Sequence, residues 1–244
     1  MKIIDVNVSV YGRDVHNRLV TPQMLLDVLE DYQIDHAVCY NEYALLDIAA
    51  GNTAMVEIAR NSNGKLGLSV VLDPMLGADS VPGTGDLAAR LRALKPESVR
   101  IIPDSMRMPF VPFYWEEILD AVNELALPMI VDMQYTPEFF ANLPDIALAY
   151  PRIKFVLIRY GTCCGRNILP LLQKRKNVYF TAEVLLDHMQ IEEITERVGS
   201  SNLLFGTGYP VLPAAGALGL AIYADIPEQD REGILHGNWE GIRQ

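Results

Sequence analysis

The sequence predicts an α/β fold, a (β/α)₈ TIM barrel, and three observations carry the prediction. Eight short apolar runs alternate with longer helical patterns along the whole chain. The runs are rich in Val, Ile, Leu and Phe without polar alternation, as strands buried on both faces are. No Gly-x-Gly-x-x-Gly follows the first run; Ser9-Val10-Tyr11-Gly12 stands there instead, which removes the signature of an open dinucleotide-binding sheet.

The first run covers residues 2–8 and the second 36–40. Between them Thr21-Pro22 is an N-cap followed by proline at the first helical position, and Leu25, Val28, Leu29 and Tyr32 form one apolar face. The third run, 66–72, and the fourth, 98–102, are separated by a helix over 86–94. Trp115, Ile118, Leu119, Val122 and Leu125 then make a helical stripe that packs on the sheet, ahead of the fifth run at 128–132. Thr136-Pro137 repeats the helix-start signal before the sixth run, 154–158. Helices over 168–176 and 189–198 follow, around the seventh run at 178–181, and the eighth run is 203–205. Eight strand–helix units give a parallel sheet with right-handed crossovers, closed into a barrel.

The chain has 244 residues, half of them hydrophobic. One α/β barrel needs about 250, and no repeat or Pro/Gly/Ser-rich linker divides the sequence, so 1–244 reads as a single domain. The net charge of −11 argues against nucleic acid and anionic membrane as partners. Lys174-Arg175-Lys176, the densest basic run, reads as a solvated helix end. No apolar run approaches the ~20 residues of a membrane helix, and Met1 to Asp5 enters a strand pattern without a leader signature, so the expected location is the cytoplasm. Cys39, Cys163 and Cys164 form no disulfide framework. A homo-oligomer stays open.

In a barrel the functional face lies at the C-terminal ends of the strands. There the chain places Asn7 and Ser9, Asp73, Arg100, Asp132, Arg159, Glu183 and the segment Gly206-Thr207-Gly208-Tyr209-Pro210. Five charged groups at one mouth point to a polar ligand pocket.

The order and spacing of these pieces resemble the amidohydrolase-related (amidohydrolase 2) branch of the amidohydrolase superfamily. Ile3-Ile4-Asp5-Val6-Asn7-Val8-Ser9 resembles that family's first strand, normally Asp-x-His-x-His. Gln33 to Val38 resembles its entry to strand two, and Leu127 to Asp132 its fifth strand. Phe155 to Gly161 resembles the sixth, normally ending His-x-Gly, and Leu204 to Pro210 the eighth, normally Gly-Ser/Thr-Asp-x-Pro. Ile234-Leu235-His236-Gly237-Asn238 resembles the closing helix. The resemblance implies an amidohydrolase-like barrel and hydrolase chemistry with a divalent cation held by histidines. Here Asn7, Ser9, Asp132 and Arg159 replace those histidines, and Gly208 replaces the eighth-strand aspartate. Asn and Ser are poor ligands and Arg does not become one, so no metal or other cofactor is expected.

A fixed cation at Arg159, flanked by Asp132 and Glu183, takes the metal's place in this reading. Arg100 pairs with Asp132 or binds a ligand carboxylate or phosphate. The expected function is a hydrolase or lyase on a small polar or anionic substrate, with Asp132, Glu183 or Tyr209 moving protons and Asn7, Ser9, Asp73, Arg100 and Arg159 binding it. The alternative is a catalytically inactive barrel kept for binding or regulation. A third reading rebuilds a Mg²⁺ or Mn²⁺ site from Asp5, Asp132 and Glu183, against the repulsion of Arg159. His16 falls in a surface loop, His188 and His236 in helices, and His36 at the face opposite the pocket.

Overall fold

A computed structural model describes residues 1–132, 137–159 and 165–243. The expected helix start at Thr136 and the residues Tyr160, Gly161, Cys163 and Cys164 lie outside the described residues.

The eight strands are β1 (Ile4–Val10), β2 (His36–Asn41), β3 (Leu66–Val71), β4 (Ser98–Ile101), β5 (Pro128–Asp132), β6 (Lys154–Ile158), β7 (Val178–Thr181) and β8 (Leu203–Leu204). They pair in parallel in sequence order. The barrel closes between its last and first strands. Val6 N–H donates to the Phe205 carbonyl at 3.0 Å, Gly208 N–H to Asn7 at 2.9 Å and Ser9 N–H to Tyr209 at 2.9 Å. The first strand starts and ends two residues later than the apolar run, so Ser9 lies within it rather than beyond it.

The helices are α1 (Pro22–Asp31), α2 (Ile48–Asn61), α3 (Leu87–Leu94), α4 (Pro103–Met106), α5 (Pro112–Leu125), α6 (Pro137–Ala149), α7 (Gly165–Lys174), α8 (Gln190–Val198), α9 (Ala214–Tyr223), α10 (Glu228–Glu232) and α11 (Asn238–Ile242). Thr21 caps α1 by accepting from Met24 N–H at 3.3 Å. Neither α2 nor α9 is foreseen by the sequence patterns above. In α2 the buried positions are Gly51, Asn52 and Met55, so it has almost no apolar stripe to read. Asn52 is instead a polar staple, donating to Val71 O at 2.7 Å and to Ser80 O at 2.6 Å. His188 lies in a turn before α8, not in a helix.

Side chains alternate across each strand. Ala37, Cys39, Val99, Ile101, Met129, Val131, Phe155 and Leu157 pack outward against the helices. Ile4, Val6, Val38, Ile130, Val156 and Leu204 fill the interior, where Trp239 and Ile242 of α11 join them. The register between β1 and β2 shifts between Asp5 and Val8. That extra residue lets Val6 serve the interior apolar layer while Asn7, its neighbour, serves the polar layer above.

No helix among the described residues is long and apolar enough to cross a membrane.

Candidate functional site

The polar layer is built around Arg100. It sits on β4, where alternation points it into the barrel, and it is fully buried. Its Nη1 donates to Asp132 Oδ2 at 3.1 Å, and its Nη2 crosses to Asn7 Oδ1 at 3.0 Å. The guanidinium carbon lies 4.0 Å from the centre of the Tyr40 ring, a cation–π contact. An arginine can be buried this way only if acceptors and a ring face meet it, because its charge is permanent.

Asp132 has both oxygens engaged by cations. Oδ1 accepts from Arg159 Nε at 2.6 Å and Oδ2 from Arg100. Asp132 is buried, whereas the Arg159 side chain is 39% exposed. Arg159 follows β6 with φ +52°, a left-handed conformation uncommon for a side-chain-bearing residue. The expected Arg159–Asp132 pair is therefore present, but the expected bracket by Glu183 is not. Glu183 belongs to Asn7. The Asn7 Nδ2 donates to Glu183 Oε1 at 3.1 Å, and Thr181 Oγ1 donates to the same oxygen at 2.9 Å. Nor is Arg159 the centre of the cluster; the buried guanidinium that ties strands together is Arg100.

Asn7 thus uses both ends of its amide. Arg100 needs an acceptor, so Oδ1 turns toward it and Nδ2 is left to face Glu183. The other Glu183 oxygen has no partner among the described residues, and burial pushes its carboxyl up to about 7 against the opposing hydrogen bonds of Thr181 and Asn7. Gly206 makes room for it, since a Cβ there would stand 3.2 Å from Glu183 Oε2 and 3.1 Å from Asn7 Cβ. Asp5 meets this chain of contacts through the backbone of Asn7. It accepts from Thr207 Oγ1 at 2.6 Å, Thr207 N–H at 3.0 Å and Asn7 N–H at 2.9 Å, and burial raises it to about 6.

Ser9 faces the mouth and donates to Glu42 Oε1 at 2.7 Å. Glu42 was not among the residues picked out by the sequence. It stands one position past the Tyr40-Asn41 strand end, in the short 3₁₀ turn Glu42–Leu45. The signal was an acid right after a strand, next to Gly12 of the neighbouring loop, where any Cβ would come 2.3 Å from Glu42 Oε1. Tyr209 borders the same mouth, and burial raises its phenol. Asp73 does not join the cluster. Its carboxylate accepts from Met75 N–H at 2.7 Å and caps its own turn after β3. The structure therefore brings Asn7, Ser9, Arg100, Asp132, Arg159, Glu183 and Tyr209 together and leaves Asp73 outside. Among the described residues the free space at the mouth is about 20 Å³, room for about one water. Among the described residues, no three His, Cys, Asp or Glu side chains converge as a metal set would.

At the opposite face His36 Nε2 meets Glu97 Oε1 at 2.9 Å while Nδ1 meets the Gly64 carbonyl at 2.9 Å. His236 pairs with Glu240, and neither histidine approaches the mouth.

A closed eight-stranded parallel barrel with charged groups at its mouth defines the class, a TIM barrel with a buried polar cluster. The chain belongs to the Amidohydrolase family, whose model matches residues 21–238. Among solved structures it resembles 5-carboxyvanillate decarboxylase from Sphingomonas paucimobilis, at 13% identity and a TM-score of 0.72 over 99% of this chain and 98% of that one. It also resembles a dihydroxybenzoic acid decarboxylase from Polaromonas sp. JS666 with bound manganese and an inhibitor, at 13% identity and a TM-score of 0.75 over 99% and 96%. A third is 4-oxalomesaconate hydratase from Rhodopseudomonas palustris, at 13% identity and a TM-score of 0.68 over 99% and 95%. At these identities the likeness is one of fold. Comparison with curated proteins finds no significant match.

Proposed function

We propose that this protein is a lyase or hydrolase acting on a small anionic substrate at the barrel mouth, with a guanidinium centre where its family holds a metal. The observation that carries the reading is the position of Arg100, whose Nη1 and Nη2 lie 3.1 Å from Asp132 and 3.0 Å from Asn7. Asp132 and Asn7 stand at the family's fifth- and first-strand ligand positions, and the cation between them is covalently part of the chain. The donor set does not suit a divalent ion. Both Asp132 oxygens accept from arginines, Gly208 has no side chain, and Arg159 adds a second positive charge. Asp5, needed for a rebuilt oxygen site, already accepts three hydrogen bonds, from Thr207 Oγ1, Thr207 N–H and Asn7 N–H.

In this reading Asp132 orients two cations. Arg159, half-exposed at the rim, meets the anionic group of the substrate, with Ser9 beside it and Arg100 and Asn7 supporting from below. Proton transfer falls to Glu183, which holds a proton near neutral pH, and to Tyr209, with Glu42 as the carboxylate at the surface of the mouth. Two of the fold relatives are named decarboxylases and one a hydratase; their substrates, by those names, carry carboxylates, which supports a lyase as much as a hydrolase. A second reading, a barrel that binds without catalysis, is favoured by one observation. Both oxygens of Asp132, the acid nearest the rim arginine, are already committed.

The test combines elemental analysis with a screen of small carboxylates and phosphates, each assayed for turnover and for thermal upshift. Expected are well under one transition metal per chain, activity indifferent to chelator, and upshifts that Arg159→Met abolishes. Close to one zinc, iron or manganese per chain would overturn the guanidinium centre. Upshift without turnover for every ligand would select the binding reading.

A further inference from the structure

Among the described residues the free space at the mouth is about 20 Å³, too little for a substrate body. Beside it lies a groove of about 810 Å³ bounded by Tyr11, Leu19, Tyr43, Leu45 and Leu46. That volume is typical of small-molecule sites, roughly 300–1,000 Å³ and mostly apolar. The groove belongs to the loops that follow β1 and β2, at the face where barrels bind ligands. Its walls are mostly apolar, with Arg13, Asn41 and Glu42 as the polar members, and they are open to solvent; Leu46 is 84% exposed, Tyr43 48%, Leu19 47% and Leu45 46%.

These exposures are held in place. The side chain of Asn41 accepts from Tyr43 N–H at 2.9 Å and starts the 3₁₀ turn Glu42–Leu45. Ala44 of that turn packs on α2 so closely that a Cβ on Gly51 would stand 2.4 Å from Ala44 N. With Ala44 pinned inward, Tyr43, Leu45 and Leu46 are held outward. One residue is common to both spaces. Glu42 borders the groove and the mouth, and its Oε1 holds Ser9 Oγ at 2.7 Å.

We propose that this groove is the subsite for the apolar body of an amphipathic organic anion, an alkyl carboxylate, whose charged head is drawn to Arg159 against the repulsion of Glu42. The proposal rests on the mouth being the ligand site, as argued above, and adds where the rest of the ligand lies. Continuity through Glu42 and the cation at the rim favour such a small anion over a protein partner.

The test is calorimetric titration of acetate, hexanoate and octanoate into wild type, Leu45→Ser/Leu46→Ser and Arg159→Met. Both leucines are exposed, so the double variant keeps its fold, which melting verifies. Expected in wild type is about a tenfold gain from hexanoate to octanoate, the worth of two buried methylenes. The double variant loses that gain. Arg159→Met weakens hexanoate and octanoate by a similar factor and keeps the gain. Equal affinity of hexanoate and octanoate in wild type, no octanoate binding, or a gain that survives in the double variant overturns the groove. If the groove variant loses the gain but Arg159→Met changes nothing, the groove stands and the mouth reading falls. Sedimentation equilibrium covers the rival occupant: a dimer that the double variant dissociates overturns the proposal in favour of a second copy of the chain.

Discussion

Arg100 on β4 reaches across the barrel to Asn7 on β1, its Nη2 donating to the amide oxygen at 3.0 Å. Strands on different sides of the barrel are thereby tied by one side chain, and the orientation of the Asn7 amide toward Glu183 follows from that bond. The two arginines that share Asp132 are consequently unequal. Arg100 is fully buried, whereas 39% of the Arg159 side chain is exposed.

Arg100→Met should therefore destabilise far more than Arg159→Met. Removing one partner from a buried ionic cluster costs about 3–5 kcal/mol. The half-exposed pair is screened by solvent and contributes about 1 kcal/mol or less. Thermal melting at neutral pH reads the difference; equal losses in the two variants would contradict the assignment of Arg100 as the centre.

Glu183 predicts a slope of stability with pH. Its carboxyl titrates near 7 in the fold and near 4.5 when exposed. Between those values the folded chain holds a proton that the unfolded chain has released, so stability falls as pH rises through that window and levels off above it. The loss is at most about 3 kcal/mol. Asp5, raised to about 6, adds a smaller fall of the same sign. Relative to wild type, Glu183→Gln should gain stability between pH 4.5 and 8, measured by denaturant titration at each pH; a constant difference would refute the buried proton.

His36 predicts the same direction from a base. Burial lowers its affinity for a proton, but the hydrogen bond and charge of Glu97 outweigh burial and hold it above its ordinary 6.5. Both ring nitrogens face acceptors, so the imidazolium satisfies them best. Its stabilising contribution is complete below 6.5 and is lost as pH rises through the raised value. Chemical denaturation of His36→Gln should show its largest deficit near pH 5 and a shrinking one above pH 7.

Gly12→Ala offers a way to displace Glu42 without deleting it. The new Cβ would stand 2.3 Å from Glu42 Oε1, and a side-chain end moves more readily than backbone. Expected is loss of the Ser9 contact and a rise in anion affinity of the same sign as that of Glu42→Ala, since both relieve the repulsion of a carboxylate beside the anion's path. Affinity unchanged from wild type would remove Glu42 from the site.

The barrel was legible in the sequence because its signals are local. A strand buried on both faces must be apolar throughout, and a helix on a sheet needs a periodic stripe, as at Trp115 to Leu125. Where the stripe was missing, in α2 with its buried Gly51 and Asn52, so was the prediction. The sequence also marked the acids and arginines of the mouth, since each ends a strand run, and it expected Arg159 to pair with Asp132 or Glu183, of which the structure holds the Asp132 pair. It could not rank the two arginines, pair Asn7 with Glu183, or see that Asp73 turns back to cap its own loop. Those outcomes depend on side-chain reach between residues as far apart as Asn7 and Arg100, and on an extra residue in β1 that re-aims Asn7. Local periodicity says which face a residue occupies. Only the closed barrel decides which opposing groups come within hydrogen-bonding distance, and hence which charge is buried and which is left at the rim.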